Sequence, residues 1–146
     1  MLPEKFLERM KEMLGEEYPA FLESYEKPKR QALRINPIKG MVQEIREKLP
    51  FSLEEIPWEK NGFCYGAEDA PGKYPYHEAG VYYIQEPSAM APVGYLMNEM
   101  EGAGVGERIL DLCAAPGGKS TQIAAAMYEA VKSGEWSEPG ILISNE

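Results

Sequence analysis

Two apolar runs, ERILDL at residues 107–112 and GILISNE at 140–146, flank the segment APGGKSTQIAAAMYEAV at 115–131, and this arrangement constrains the fold more than any other part of the chain. Runs that are apolar on both faces suit strands covered from both sides, as in parallel sheets. The segment between them is long enough for a helical crossover and has apolar residues at helical spacing. The order is therefore strand, loop, helix, strand, the opening of an α/β unit. In such a unit the loop leaving the first strand lies at the carboxyl edge of the sheet, where ligands of open twisted sheets bind. Gly117 and Gly118 allow a tight turn and close approach of main chain to a ligand, and a helix starting near Lys119 points free N–H groups at the same place. Glu146, closing the second strand, is positioned to accept hydrogen bonds from ribose hydroxyls. A nucleoside-type cofactor is the expectation.

The front of the chain reads differently. Phe6, Leu7, Met10, Met13 and Leu14 predict an amphipathic helix over 3–14 with Gly15 as its C-terminal cap; Tyr18, Phe21, Leu22 and Tyr25 predict a second, stopping near Pro28. Both present core-seeking faces. Residues 31–36 alternate around Leu33 and Ile35 as a strand, and Val42, Ile45 and Leu49 mark a short helix. Strands are expected near 53–56, 62–65 and 81–84. AEDAPGKYPYHEAG, at 67–80, reads as a surface loop, and Pro87 opens a helix through Met100 that the glycines of EGAGVGE end. The outcome is a small α+β module at 1–75 and the start of an α/β domain at 76–146, with the boundary between residues 70 and 80.

Composition narrows the function classes. The chain has 24 acidic and 15 basic residues, a formal charge of −9, which is the wrong overall sign for attracting a polyanion, so nucleic-acid contact must be local. Cys64 and Cys113 stand alone, suggesting no disulfide framework and no zinc site, and a cytoplasmic setting is expected. No run approaches a membrane span. Residues 113–120 also match the end of a P-loop, G-x-x-x-x-G-K-[ST], at Gly118, Lys119 and Ser120. Cys113 stands where the first glycine is required, however, and Pro116 removes a backbone donor that a phosphate cradle needs.

The string DLCAAPGGKST, preceded by YYIQEPSAMAPV and followed by ISNE, closely resembles the cofactor region of Sun-type RNA (cytosine-5-)methyltransferases, especially bacterial ribosomal-RNA members. QALRINPIK at 31–39 resembles the first strand of that family's N-terminal RNA-binding module, so the resemblance spans nearly the whole chain. It implies a Rossmann-like S-adenosyl-L-methionine-dependent methyltransferase domain. It also implies that Cys113, Ala114, Ala115, Pro116, Gly117, Gly118 and Lys119 contact the cofactor and that Glu146 receives the ribose hydroxyls. Asp111 would support the loop, and Gln85 to Met90 would lie beside it. The family's chemistry uses a cysteine thiolate that attacks carbon 6 of cytosine and makes carbon 5 nucleophilic. That cysteine, from a Thr-Cys motif, and a second from a Pro-Cys motif are expected after the second strand, so no catalytic residue lies within this chain. The chain is expected to be a truncated front half, inactive alone. Cys113 would be a small packing residue and Cys64 a structural or incidental thiol.

The implied partner is RNA, by resemblance ribosomal RNA, with no membrane and no metal. Lys27, Lys29, Arg30, Arg34 and Lys39 gather basic charge suited to phosphate contacts, a solvated face being the alternative. Tyr65, Tyr74, Tyr76, Tyr82 and Tyr83 offer stacking surfaces or core packing. His77 is expected as a loop hydrogen-bonder and Trp136 in an exposed loop. Residues 105–146, with only two parallel strands, are expected to have poor independent stability and less exchange protection than residues 1–50. A P-loop-like nucleotide-binding protein and a non-catalytic RNA-binding module are the alternatives.

Overall fold

The computed structural model describes residues 2–100, 102 and 104–146. Helix α1 (Glu4–Leu14) ends at Gly15, which takes the positive φ of 50° that its lack of a Cβ permits, and α2 (Tyr18–Ser24) follows after a single 3₁₀ turn. Their apolar faces do not reach the core: neither helix has a buried residue or joins a hydrophobic cluster. Instead the rings meet one another, Phe21 lying 6.1 Å from Phe6 and 5.1 Å from Tyr25 between centroids. Helical spacing correctly located the apolar faces, but the partner they found is local.

The next segment builds an antiparallel sheet in the order β2-β3-β1-β4, from β1 (Gln31–Ile35), β2 (Glu54–Ile56), β3 (Glu59–Tyr65) and β4 (Tyr82–Ile84). Central β1 sets Leu33 opposite Phe63 on one side and Ile84 on the other. Strand alternation sends successive side chains to opposite faces. Leu33 and Ile35 therefore enter a core with Phe63, Tyr82 and with Ile45 of α3 (Val42–Lys48), while Ala32 meets Ile56, Cys64 and Met90 on the other face. Met90 comes from α5 (Pro87–Glu99), whose first turn is capped by the Glu86 carboxylate accepting from the Ala89 N–H at 3.1 Å. Within the EGAGVGE stretch expected to end α5, Glu101 and Ala103 lie outside the described residues. Strand β4, on the far side of residue 75, pairs with β1, so the first sheet continues to Ile84.

AEDAPGKYPYHEAG is more ordered than a surface loop. It holds a 3₁₀ turn at Pro71–Lys73 and α4 (Pro75–Glu78), fastened by the Tyr82 hydroxyl donating to the Pro71 carbonyl at 2.7 Å. Tyr74 and Tyr76 pack over the first core, because aromatic rings carry enough apolar area to pull a Pro- and Gly-rich stretch onto it. His77 corrects the expectation of a loop hydrogen-bonder: its Nδ1 is buried with no partner among the described residues, and its ring lies 6.0 Å from that of Tyr82.

The second unit is β5 (Arg108–Asp111), α6 (Gly118–Ser133) and β6 (Ile141–Ser144), with β5 and β6 parallel and Ile109 opposite Leu142. Ile109, Ile123, Met127 and Ala130 form a core with Val93 of α5 and with Trp136. Trp136 is 1% exposed, the reverse of the exposed loop expected, since the turn after Gly134 folds it back under α6 with its backbone N–H donating to the Ala130 carbonyl at 3.0 Å. The two strands are covered on one face only. Leu110, Leu112, Ile141 and Ile143 are each more than half exposed, so the apolar runs do not report burial on both sides within the described residues.

Two outcomes follow from this packing. The Trp136 indole nitrogen has no acceptor among the described residues, so Trp136→Phe is expected to be nearly neutral, whereas Trp136→Ala is expected to lose about 3–5 kcal/mol in urea denaturation. Amides of β5 and β6, in a sheet bare on one face, are expected to exchange faster than those of β1 and β3; equal protection would contradict this.

Candidate functional site

The loop from Leu112 to Gly117 connects β5 to α6 at the carboxyl edge of the parallel pair. Its shape is fixed by hydrogen bonds at both ends. The Asp111 carboxylate accepts from the Cys113 N–H at 3.1 Å and from the Ser120 hydroxyl at 2.6 Å, tying the loop's start to the first turn of α6. Those two donors, the hydroxyl first, and the nearby Lys119 charge hold the Asp111 carboxyl below the usual aspartate range. The expected supporting role of Asp111 thus has a concrete geometry. Across the loop, the Asn145 N–H donates to the Asp111 carbonyl at 2.8 Å and the Ala114 N–H to the Asn145 carbonyl at 3.0 Å. The end of β6 is thereby stitched to the loop, and Glu146, exposed, is the next residue.

The two glycines have different reasons to be glycine. Gly117 caps α6 with φ 104° and ψ 0°, a left-handed conformation that a side chain would strain. Gly118 packs closely against the N-terminal module: a Cβ there would come into van der Waals contact, 3.4 Å from the Gln85 side-chain nitrogen and 3.5 Å from the Tyr83 ring. The close approach is therefore to the N-terminal sheet as well as toward any ligand. Among the described residues the amides of Ala115, Gly118, Lys119 and Ser120 donate to no protein acceptor, as the first turn of a helix requires. Cys113, Ala115, Pro116 and Lys119 are exposed, and Ala114, Gly117 and Gly118 half-buried. The packing role expected of Cys113 is corrected by that exposure; the thiol that packs is Cys64, buried against Met90.

The N-terminal module reaches this loop directly. The Tyr83 hydroxyl donates to the Pro116 carbonyl at 3.0 Å. Arg34, expected in a basic surface cluster, is 3% exposed and points inward, whereas Lys27, Lys29, Arg30 and Lys39 are exposed and Lys27 pairs with Glu23 at 3.3 Å. Arg34 donates to the Gln85 side-chain oxygen at 3.1 Å, the Gly118 carbonyl at 3.2 Å and the Thr121 hydroxyl at 2.9 Å. Gln85 in turn donates to Gln122 at 3.3 Å, and Gln122 to the Met90 carbonyl at 2.9 Å and to Glu59. Sequence reading missed Arg34, Thr121 and Gln122; the only signal was one charged residue inside an otherwise apolar strand. Of Gln85 to Met90, Gln85 lies against Gly118 and the Met90 carbonyl accepts from Gln122 in α6. A groove of about 1080 Å³, lined by Trp58, Tyr95 and Glu129 among others, includes no residue of the loop. Among the described residues no cluster of His, Cys, Asp and Glu could hold a metal ion, and no helix is long and apolar enough to cross a membrane.

A four-stranded antiparallel module joined through a buried polar contact to a parallel strand–loop–helix–strand unit defines a mixed α/β protein with an N-terminal domain. A solved crystal structure, that of PH0851, has this fold: TM-score 0.72 at 23% identity, covering 97% of this chain and 30% of that one. Residues 2–87, more than half of the chain, match the family described as the N-terminal domain of 16S rRNA methyltransferase RsmF, and the chain belongs to that family. Similar proteins include the ribosomal RNA small subunit methyltransferase F of Erwinia tasmaniensis, 37% identical over 92% of this chain, and that of Vibrio campbellii, 34% identical over 99%. The chain spans 30% of the length of each of these relatives.

The loop geometry gives a pH-dependent outcome. A carboxyl whose folded pKa is depressed stabilises the loop above its unfolded value and loses that contribution as pH falls through the folded one. The Cys113 amide shift in NMR is expected to be constant above roughly pH 5 and to titrate below the ordinary aspartate range, near 3.9. Asp111→Asn is expected to abolish the titration.

Proposed function

We propose that this chain carries the cofactor-loop part of an S-adenosyl-L-methionine-dependent RNA methyltransferase that acts on cytosine C5 in ribosomal RNA of the small subunit. The observation that carries the reading is the row of undonated amides at Gly118, Lys119 and Ser120 at the carboxyl edge of β5–β6. Such amides, at the positive end of a helix, suit an anionic or hydroxyl-bearing ligand. Family membership and the names of the relatives add the methyl-transfer and ribosomal parts.

In this reading Cys113, Ala114, Ala115, Pro116, Gly117, Gly118 and Lys119 line the cofactor, with the Lys119 and Gly118 amides hydrogen-bonding it. Glu146 accepts from its ribose hydroxyls. The residues present fit such a group: main chain is bare where Gly117 turns, and an exposed carboxylate follows the strand stitched to the same loop. The bound cofactor supplies an electrophilic methyl group. This chain's own part is to hold and orient it, while Asp111 keeps the loop in shape. Neither of its cysteines is suited to attack a base, Cys64 being buried in the N-terminal module and Cys113 part of the cofactor loop. The N-terminal module, counted through β4, would meet RNA through Lys27, Lys29, Arg30 and Lys39 and work in the cytoplasm.

S-adenosylhomocysteine and ATP titrated separately into the product of the full reading frame test the reading. Saturable binding of the first without the second is expected, and the reverse would favour a P-loop-like nucleotide site. Glu146→Gln is expected to weaken S-adenosylhomocysteine about tenfold, the loss of a charge-assisted hydrogen bond.

A further inference from the structure

Four of the five buried polar residues of the described chain, Arg34, Asn61, Gln85 and Gln122, hydrogen-bond between the N-terminal module and α6, and the fifth, Ser120, bonds Asp111 in the first turn of α6. Arg34 stands out among them. Its guanidinium is taken from water, which pulls its pKa down from the ordinary arginine value while Glu59 and Tyr83 push it up. Yet its hydrogen-bond acceptors are all neutral, and no carboxylate among the described residues lies within ion-pair distance. A buried cation held by neutral acceptors is an expensive way to fill space. The position of those acceptors explains it.

Two of the three sit on the turn into α6: the Gly118 carbonyl, and the Thr121 hydroxyl, which itself donates to the Gly117 carbonyl at 2.7 Å. Arg34 thus adds a side-chain hold on two successive carbonyls, one directly and one through Thr121, the Gly117 carbonyl also accepting the Thr121 backbone N–H at 2.9 Å. In a planar trans peptide the C=O and the following N–H point in opposite directions. Holding the Gly117 and Gly118 carbonyls toward Arg34 and Thr121 therefore turns the Gly118 and Lys119 amides away from them. These are two of the amides that donate to no protein acceptor. Gly117, without a Cβ, has the widest choice of backbone conformations in the loop, so this is where an external clamp changes most. Lysine could not replace the planar fork, which spreads its donors over three acceptors.

We propose that Arg34 is a positioning residue for the cofactor loop: from the N-terminal sheet it clamps the Gly117 and Gly118 carbonyls and so aims the Gly118 and Lys119 amides at the ligand. The aim at a ligand rests on the cofactor reading above; the clamp itself does not. It makes the N-terminal module part of the cofactor site and not only a platform for RNA.

The test uses the product of the full reading frame with Arg34→Lys, Thr121→Val and the double variant. Without ligand, the Gly117 and Thr121 amides are expected to exchange at least tenfold faster in each variant, with the Phe63 amide unchanged. S-adenosylhomocysteine is expected to bind about tenfold more weakly to each single variant, and the double variant to be no weaker than the worse single one, since both break one chain of contacts. Should Arg34→Lys fail to fold, Thr121→Val, at an exposed position, carries the same expectation. Uniformly faster exchange, or affinity within twofold of wild type, would show a merely structural role and overturn the proposal. If the wild-type protein does not bind S-adenosylhomocysteine, the cofactor reading falls, and the exchange data alone decide the clamp.

Discussion

The contact between a desolvated guanidinium on β1 and the first turn of α6 is the constraint on which the arrangement depends. An antiparallel sheet and a parallel strand pair have no shared ladder to join them, and apolar packing under α5 is non-directional. Hydrogen bonds between buried groups are directional and costly to leave unmade, so they specify one orientation where oily contact would allow several. Arg34, Gln85, Gln122 and Glu59 form such a set, linking β1, the segment after β4, α6 and β3. Once it is made, Tyr83 comes within reach of Pro116, and Gly118 lies against Gln85.

Charge in this protein is organised by depth. The surface is net acidic, and the basic residues near the start of β1 divide into exposed lysines and Arg30, which remain available to a polyanion, and Arg34, withdrawn to the interior. Around the loop the same logic runs at smaller scale: the Asp111 carboxylate is held ionised by hydrogen-bond donors from both ends of the turn, and the helix start presents amides on the side left open. A site for a ligand carrying hydroxyl and carboxylate groups needs both, an anchored turn and free donors.

The parallel pair is the most incomplete part of the fold. Four apolar side chains of β5, the loop and β6 face outward, and the tight approach of Gly106 to Gly140, where a Cβ on either would collide with main chain, keeps the strands in register from their first residues. Register is thus set by backbone contact at one end and by the Asn145 bonds at the other, and only one face contributes burial.

Much of this was legible in the residues. Alternation, short apolar runs and helical spacing located the described strands and the longer helices because they depend on local geometry, and CAAPGGK marked the loop through its resemblance to a family's cofactor region. Residues whose partners lie far along the chain were not legible. Whether Arg34 faces RNA or α6, whether Trp136 is solvent-exposed or core, and whether Phe21 finds the sheet or only Phe6 depend on which surfaces folding brings together, and no spacing within a segment encodes that. The sequence by itself determined most of the elements and the turn between β5 and α6. Only the tertiary structure decided that the turn is held from the N-terminal sheet, because a hydrogen bond across 87 positions exists only once the chain has folded.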